Sequence, residues 1–131
     1  MPEKYHFLLV SNSPSDPWVR ILQEVVTSLG SLQIASKQET IKLVSQRDYD
    51  LLVVDAAKVE DVFCLVSSIR EQQPDARILV VTTSPTWRRA REAFRAGATD
   101  YIRKSMNKTE LLCILQATMD KIPPMTRRLI V

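Results

Sequence analysis

The sequence predicts an α/β protein in which a five-stranded parallel sheet lies between two layers of helices. Short apolar segments alternate with amphipathic segments five times along the 131 residues. Two of the short segments, 51–55 and 78–83, stay apolar until they end on polar residues, which is typical of parallel strands buried on both faces. Strand and helix units that follow one another through right-handed crossovers place helices on both sides of such a sheet.

The first half of the chain contains three strand and helix units. The first helix has clear ends, because Asp16 is a typical N-cap, Pro17 suits the first helical position and Gly30 offers a stop. Its apolar residues recur at helical spacing: Trp18, Ile21, Leu22, Val25, Val26 and Leu29. The other predicted elements are strands at His6–Ser11, Leu32–Ala35 and Leu51–Asp55, and helices at Glu39–Gln46 and about Glu60–Gln72.

The second half contains two more units and a tail. Gly97 ends the fourth helix, and Asn107 with Glu110 forms a capping box that begins the fifth. Two prolines after this helix suggest a domain at 1–122 followed by a C-terminal tail or linker at 123–131. The predicted elements are strands at Ile78–Thr83 and Tyr101–Arg103, and helices at Pro85–Ala96 and 108–121.

Composition excludes several functional classes. The two glycines, Gly30 and Gly97, are too few for a P-loop or a dinucleotide-binding loop. The single His6 rules out multi-histidine metal sites and makes a Ser/His/Asp triad improbable as well. Cys64 and Cys113 are expected to be buried thiols in a reducing, cytoplasmic compartment. No apolar run is long enough for a membrane span, and the start lacks a signal-peptide pattern.

Polar residues stand where the predicted strands stop, which is where open parallel sheets bind their ligands. Asp55 could attack as an oxygen nucleophile, Thr82 could donate a hydrogen bond and Lys104 could balance negative charge. The sequence therefore predicts a candidate phosphoryl site, and without phosphate an ion pair between Asp55 and Lys104. The full set of strand-end residues is Ser11, Asn12, Asp55, Thr82, Thr83 and Lys104.

The segments VVDAA, VTT and AGATDYIRKS, with their separations, resemble the receiver domains of two-component response regulators. The resemblance covers about Tyr5–Lys121 and is most specific from Thr82 to Lys104. It implies a flavodoxin-like sheet with strand order 2-1-3-4-5 and a role in phosphorelay signal transduction. It also implies the site positions: Asp55 as phospho-acceptor, Thr82 and Thr83 as switch and phosphate-contacting residues, Tyr101 as switch aromatic and Lys104 as the lysine of the family.

The sequence departs from this family pattern at the metal site. Receivers usually carry two adjacent acidic residues that hold Mg²⁺ where this chain has Ser11 and Asn12. Because Mg²⁺ prefers charged oxygen ligands, only a weak Mg²⁺ site at Asp55 is expected, and no metal-ligand set is predicted. Asp16 could reach this site, although capping the first helix is its expected role. Ser105 stands in place of the usual proline, so the Lys104–Ser105 peptide bond is expected to be trans.

These departures leave two hypotheses open. The chain is either a phosphorylated receiver with a depleted metal site or a phosphorylation-independent pseudo-receiver that acts as a protein-interaction or dimerisation module. An enzyme that hydrolyses phosphorylated substrates is disfavoured, because the strand ends lack a general base, a glycine-rich phosphate loop and a metal cage.

A local positive charge indicates where a partner binds. The segment 85–108 holds seven arginines and lysines against two acidic residues, a charge of +5 in a chain of net +3. By the resemblance, the fourth helix, the fifth strand and the last helix form the partner face, and its charge favours an acidic protein surface. A histidine kinase, an output protein or a second copy are the expected partners, whereas the charge is weak for nucleic acid. The face residues are Trp87, Arg88, Arg91, Arg95 and Arg103, with Ala90 and Phe94 beside Trp87 in an apolar stripe.

Overall fold

The computed structural model describes residues 5–57, 59 and 61–121. The predicted tail, 123–131, lies outside these residues. Strands and helices alternate five times in the described ranges, as the sequence predicts. They are β1 (Tyr5–Val10), α1 (Pro17–Thr27), β2 (Gly30–Ala35), α2 (Lys37–Gln46), β3 (Leu51–Asp55), α3 (Val62–Gln72), β4 (Ile78–Thr82), α4 (Trp87–Ala96), β5 (Asp100–Arg103) and α5 (Lys108–Met119).

The five strands form one parallel sheet in the order β2-β1-β3-β4-β5, which confirms the predicted topology. Val10 pairs with Val54, and Asp55 pairs with Val81. The carboxyl ends of the three central strands therefore meet at one edge of the sheet, and Asp55 lies at that edge.

Side chains along each strand alternate between two helix layers. In β3, Leu52 and Val54 pack in a core cluster with residues of α2, α3 and α4. Leu51 and Val53 point the other way, into a cluster with residues of α1 and α5. This is the two-residue repeat of a strand. All residues of β3 and β4 are buried, as expected for strands covered on both faces.

The predicted helix caps agree with the structure. Asp16 Oδ1 accepts a hydrogen bond from the backbone N–H of Trp18 at 2.9 Å, and Pro17 begins α1. Asn107 Oδ1 accepts from the backbone N–H of Glu110 at 2.9 Å, which is one half of the predicted capping box. No helix in the described ranges has the length and apolar character to cross a membrane.

Gly30 has a different role from the predicted one. The helix α1 already ends at Thr27, and Gly30 is the first residue of β2. A Cβ atom at Gly30 would lie 1.9 Å from the carbonyl oxygen of Tyr5. Glycine is therefore required by the close approach of β1 and not by the end of a helix.

The prediction that both cysteines are buried was wrong. Cys64 on α3 and Cys113 on α5 are free and exposed. Their neighbours Leu65 and Leu111 are the residues that face the core. An apolar residue type within an amphipathic helix does not by itself determine which face it occupies. The predicted helix starts at 39, 60 and 85 also each lie two residues from the observed starts.

Candidate functional site

The site is built around a buried ion pair at the carboxyl edge of the sheet. Asp55 ends β3 and is fully buried. Lys104 follows β5, and its Nζ lies 2.8 Å from Asp55 Oδ2. The backbone N–H of Ala57 donates to Asp55 Oδ1 at 3.1 Å. The ion pair that the sequence predicts is confirmed.

Asp55 and Lys104 form a charge pair that is buried from solvent. Among the described residues, Asp55 Oδ2 accepts no aligned hydrogen bond, so its contact with Lys104 is a charge pair. The Lys104 side chain is itself only 7% exposed. Burying a carboxylate costs free energy unless an opposite charge lies close by. Removing Lys104 would therefore leave the Asp55 carboxylate buried without its nearest opposite charge.

A second carboxylate faces the same ammonium group. Asp16 Oδ2 lies 3.8 Å from Lys104 Nζ, while Asp16 Oδ1 caps α1. The ammonium group thus contacts two acidic side chains from different elements. The sequence favoured Asp16 as the N-cap of α1, and the structure shows in addition that its carboxylate lies close to the Lys104 ammonium group.

Trp18 completes this cluster, and the sequence analysis missed it. Its ring centroid lies 5.1 Å from Lys104 Nζ, and its indole nitrogen donates to the carbonyl oxygen of Ser105 at 3.0 Å. The sequence indicated only that Trp18 lies on the apolar face of the first helix. No spacing signal connects two residues 87 positions apart, so this contact emerges only when α1 and the segment after β5 are folded together.

The predicted switch residues lie on β4 and β5 and in the segment after β4. Thr82 is buried, and its carbonyl oxygen accepts from the backbone N–H of Lys104 at 2.8 Å. Its Oγ1 accepts from the backbone N–H of Ser84 at 3.2 Å, and Thr83 is exposed. Tyr101 packs against the core on the α3 side, and its buried hydroxyl has no hydrogen-bond partner among the described residues. The hydrogen bond to the Thr82 carbonyl ties the Lys104 backbone to the end of β4.

The residues at the acidic-pair positions differ in burial. Ser11 is buried, and its Oγ accepts from the backbone N–H of Ser13 at 3.1 Å. Asn12 is exposed. Within the described ranges, no three His, Cys, Asp or Glu side chains are grouped so that they could hold a metal ion. The carboxylates of Asp55 and Asp16 both face the Lys104 ammonium group. These residues do not fit a Mg²⁺ site of ordinary strength.

The segment after β5 has the predicted peptide geometry. None of the peptide bonds in the described part of the chain is cis, so the bond between Lys104 and Ser105 is trans.

The predicted partner-face residues all lie on the surface. Trp87 is 74% exposed and Phe94 is 49% exposed. The Arg91 guanidinium stacks over the Trp87 ring at 4.6 Å, and the Arg89 guanidinium lies over the Phe63 ring of α3 at 5.2 Å. Only Ala93 of α4 is buried. The remaining arginines of the face are also exposed: Arg88, Arg95 and Arg103.

Comparison with known proteins identifies relatives of this chain. It is 31% identical over 98 residues to the DNA-binding transcriptional regulator NtrC of Rhizobium meliloti, a match that covers 72% of this chain and 20% of that protein. It is 30% identical over 112 residues to the photosynthetic apparatus regulatory protein RegA of Cereibacter sphaeroides, which covers 83% of this chain and 61% of that protein. The chain thus spans only part of each relative.

Solved structures have the same fold. The signal receiver domain of an HD domain-containing protein from Pseudomonas fluorescens has a TM-score of 0.76 at 22% identity, covering 92% of this chain and 90% of that one. A response regulator from Burkholderia pseudomallei has a TM-score of 0.74 at 25% identity, covering 88% and 69%. The family model described as the response regulator receiver domain matches residues 17–116. This chain belongs to the response regulator receiver domain family of two-component systems.

Proposed function

We propose that this receiver domain accepts a phosphoryl group on Asp55 and passes the signal to a protein partner through α4, β5 and α5. The observation that carries the proposal is the Asp55 carboxylate held 2.8 Å from the Lys104 ammonium at the carboxyl edge of the sheet. The structural neighbour from Burkholderia pseudomallei, which is described with a phosphorylated aspartic acid, supports it.

In the proposed reaction an Asp55 carboxylate oxygen attacks the phosphorus of a phosphorylated donor, such as a histidine kinase. The new bond from oxygen to phosphorus forms as the bond from phosphorus to the donor breaks, and the donor leaves with that electron pair. Lys104 balances the negative charge on the transferred group, and the Thr82 hydroxyl donates a hydrogen bond to it. One group is accepted for each molecule, so the domain acts as a switch and not as an enzyme.

Intact-protein mass after incubation with acetyl phosphate tests this function. We expect a gain of one phosphoryl group that disappears in Asp55→Asn. Because the side chains at the edge fit Mg²⁺ poorly, uptake is expected to depend on the ion only weakly, so samples with Mg²⁺ and with a chelator are compared. No mass gain in folded protein under either condition would contradict phosphoryl acceptance.

A second candidate function is a phosphorylation-independent interaction module with the same partner face. It is favoured by Ser11 and Asn12 at the acidic-pair positions and by the exposure of Trp87 on α4. The helix α4 carries four arginines, Arg88, Arg89, Arg91 and Arg95, against the single acidic residue Glu92, and this charge favours an acidic partner protein. It disfavours pairing of this face with itself, because two copies would bring like charges together.

Charge reversal separates this candidate from the first. The variant Arg88→Glu/Arg91→Glu/Arg95→Glu is expected to lose binding to the partner, while Asp55→Asn retains it. The matched control reverses three exposed charges on α1, on α2 and at the end of α2, Arg20→Glu/Lys42→Glu/Arg47→Glu, and should retain binding. Binding is measured by titration with the cognate kinase or output protein and with a single-stranded oligonucleotide. Equal loss in both triple variants would remove α4 as the partner surface.

A further inference from the structure

Trp18 contacts the site through two different groups. Its ring centroid lies 5.1 Å from Lys104 Nζ, and its indole nitrogen donates to the carbonyl oxygen of Ser105 at 3.0 Å. Both partners belong to the segment that follows β5, whereas Trp18 is the second residue of α1. One side chain therefore joins the start of α1 to the two residues that follow β5.

The two contacts restrict different motions of Lys104. A lysine side chain is long and flexible, so holding its ammonium in one place costs conformational entropy. The face of an indole ring attracts a cation, and the attraction grows when water is excluded. Trp18 is only 2% exposed, and the Lys104 side chain is 7% exposed. The ring thus restricts the ammonium group, while the indole N–H restricts the backbone of the next residue.

The surroundings of the ammonium show what the ring adds. Asp55 lies on one strand, and Asp16 lies 3.8 Å away at the helix N-cap. Two carboxylates alone would allow the ammonium to shift between them. The Trp18 ring provides a third contact from α1, so the three groups together define one position beside Asp55.

We propose that Trp18 is a positioning residue for Lys104 that keeps its ammonium group at Asp55. The consequence for phosphoryl uptake rests on the function proposed above, whereas the contacts with Lys104 do not depend on it. A phosphoryl group on Asp55 places new negative charge beside this ammonium. Trp18 then controls how far Lys104 moves to meet that charge.

A double-mutant cycle between the two residues tests the proposal. Trp18→Leu is expected to slow phosphoryl uptake from acetyl phosphate by about tenfold, and Trp18→Phe, which keeps an aromatic ring without the N–H, recovers part of that loss. Because Trp18 acts through Lys104, Trp18→Leu should cause no further slowing in a Lys104→Met background. Equal slowing by Trp18→Leu in both backgrounds would overturn the proposal.

The same cycle measured by urea unfolding needs no phosphorylation. Trp18→Leu should lower the unfolding midpoint less in the Lys104→Met background than in the wild-type background. The control is Leu22→Ala, which changes another buried residue of α1 in the same core cluster and should lower the midpoint equally in both backgrounds. If the wild-type protein takes up no phosphate, the proposed function fails and this cycle alone decides the role of Trp18. Equal shifts for Trp18→Leu would refute that role.

Discussion

The two tryptophans of this chain lie in the first turns of two helices and have opposite environments. Trp18 is the second residue of α1 and is 2% exposed, whereas Trp87 is the first residue of α4 and is 74% exposed. Both rings lie near a cation: Trp18 near Lys104 inside the site, and Trp87 beneath Arg91 on the surface. One tryptophan belongs to the core and the site, and the other is available to a partner.

The difference follows from how each helix meets the sheet. The helix α1 buries five residues, Trp18, Val19, Leu22, Val25 and Val26. The helix α4 is strongly amphipathic but buries only Ala93. An apolar stripe on a helix therefore predicts contact with some apolar surface, which need not be the core of the same chain.

The largest expected effect is a difference in folding stability between alanine variants of the two tryptophans. Trp18→Ala should lower the free energy of unfolding by about 3–5 kcal/mol, because it leaves a cavity beneath α1. Trp87→Ala should change it by less than about 0.5 kcal/mol, as for other exposed positions. Urea unfolding followed by circular dichroism measures both. A comparable loss in the two variants would mean that Trp87 is packed and not exposed.

The next effect concerns the ion pair beside Trp18. Lys104→Met should cost about 3 kcal/mol, because it leaves the buried Asp55 carboxylate without its counter-charge. Asp55→Asn should cost less, because Lys104 keeps Asp16 as an acidic neighbour at 3.8 Å. Urea midpoints of the two variants at neutral pH test this order. The reverse order would indicate that Asp16 does not support Lys104.

A smaller effect on stability is expected at the C-terminal end of α4, a helix that buries only Ala93. Gly97 ends α4 with a φ angle of 116°, and its carbonyl oxygen accepts from Arg70 Nε at 3.1 Å and Nη2 at 2.7 Å. A Cβ atom at this position would lie 3.1 Å from Arg70 Cγ. Gly97→Ala should therefore cost about 1–3 kcal/mol, with the loss of amide protection in hydrogen exchange concentrated in α4. Loss spread evenly over all helices would contradict this anchoring role.

The smallest expected effect is a pH dependence of folding stability that arises from the exposed N-terminal cap of α2. Hydrogen bonds from the backbone N–H and the hydroxyl of Ser36 hold the pKa of Glu39 below its ordinary value of 4.5. A lowered pKa in the folded state stabilises the fold above the unfolded-state pKa, and this contribution disappears as pH falls through the folded-state pKa. Glu39→Gln should therefore reduce the fall in the urea midpoint between neutral pH and about pH 3.5. An unchanged fall would exclude this contribution.

Local patterns predicted most of the fold. The caps at Asp16 and Asn107 and the apolar strand Leu51–Asp55 were identified because each depends on neighbouring residues. The role of Gly30 was misjudged, because the atom that requires a glycine there belongs to Tyr5 on the adjacent strand. The burial of the two cysteines was misjudged for a similar reason, since it depends on how each helix rotates against the sheet.

The candidate site was predicted in part. Asp55 and Lys104 could be assigned to one edge because the carboxyl ends of parallel strands meet there, and the structure brings them into contact. The sequence left open that Asp16 reaches this site but favoured its role as the cap, and the structure shows both contacts. The approach of Trp18 to Lys104 could not be predicted. It depends on the distance and angle between α1 and the segment after β5, which lie far apart in the chain.

The sequence by itself determined the alternation of strands and helices, the sheet order through the family resemblance, and the residue types at the strand ends. These depend on repeats and caps within short stretches of chain. Only the tertiary structure decided which tryptophan is buried, which carboxylates share the Lys104 ammonium and which face of α4 remains exposed. Those outcomes depend on contacts between distant segments, where packing and burial, and not local pattern, determine the free energy.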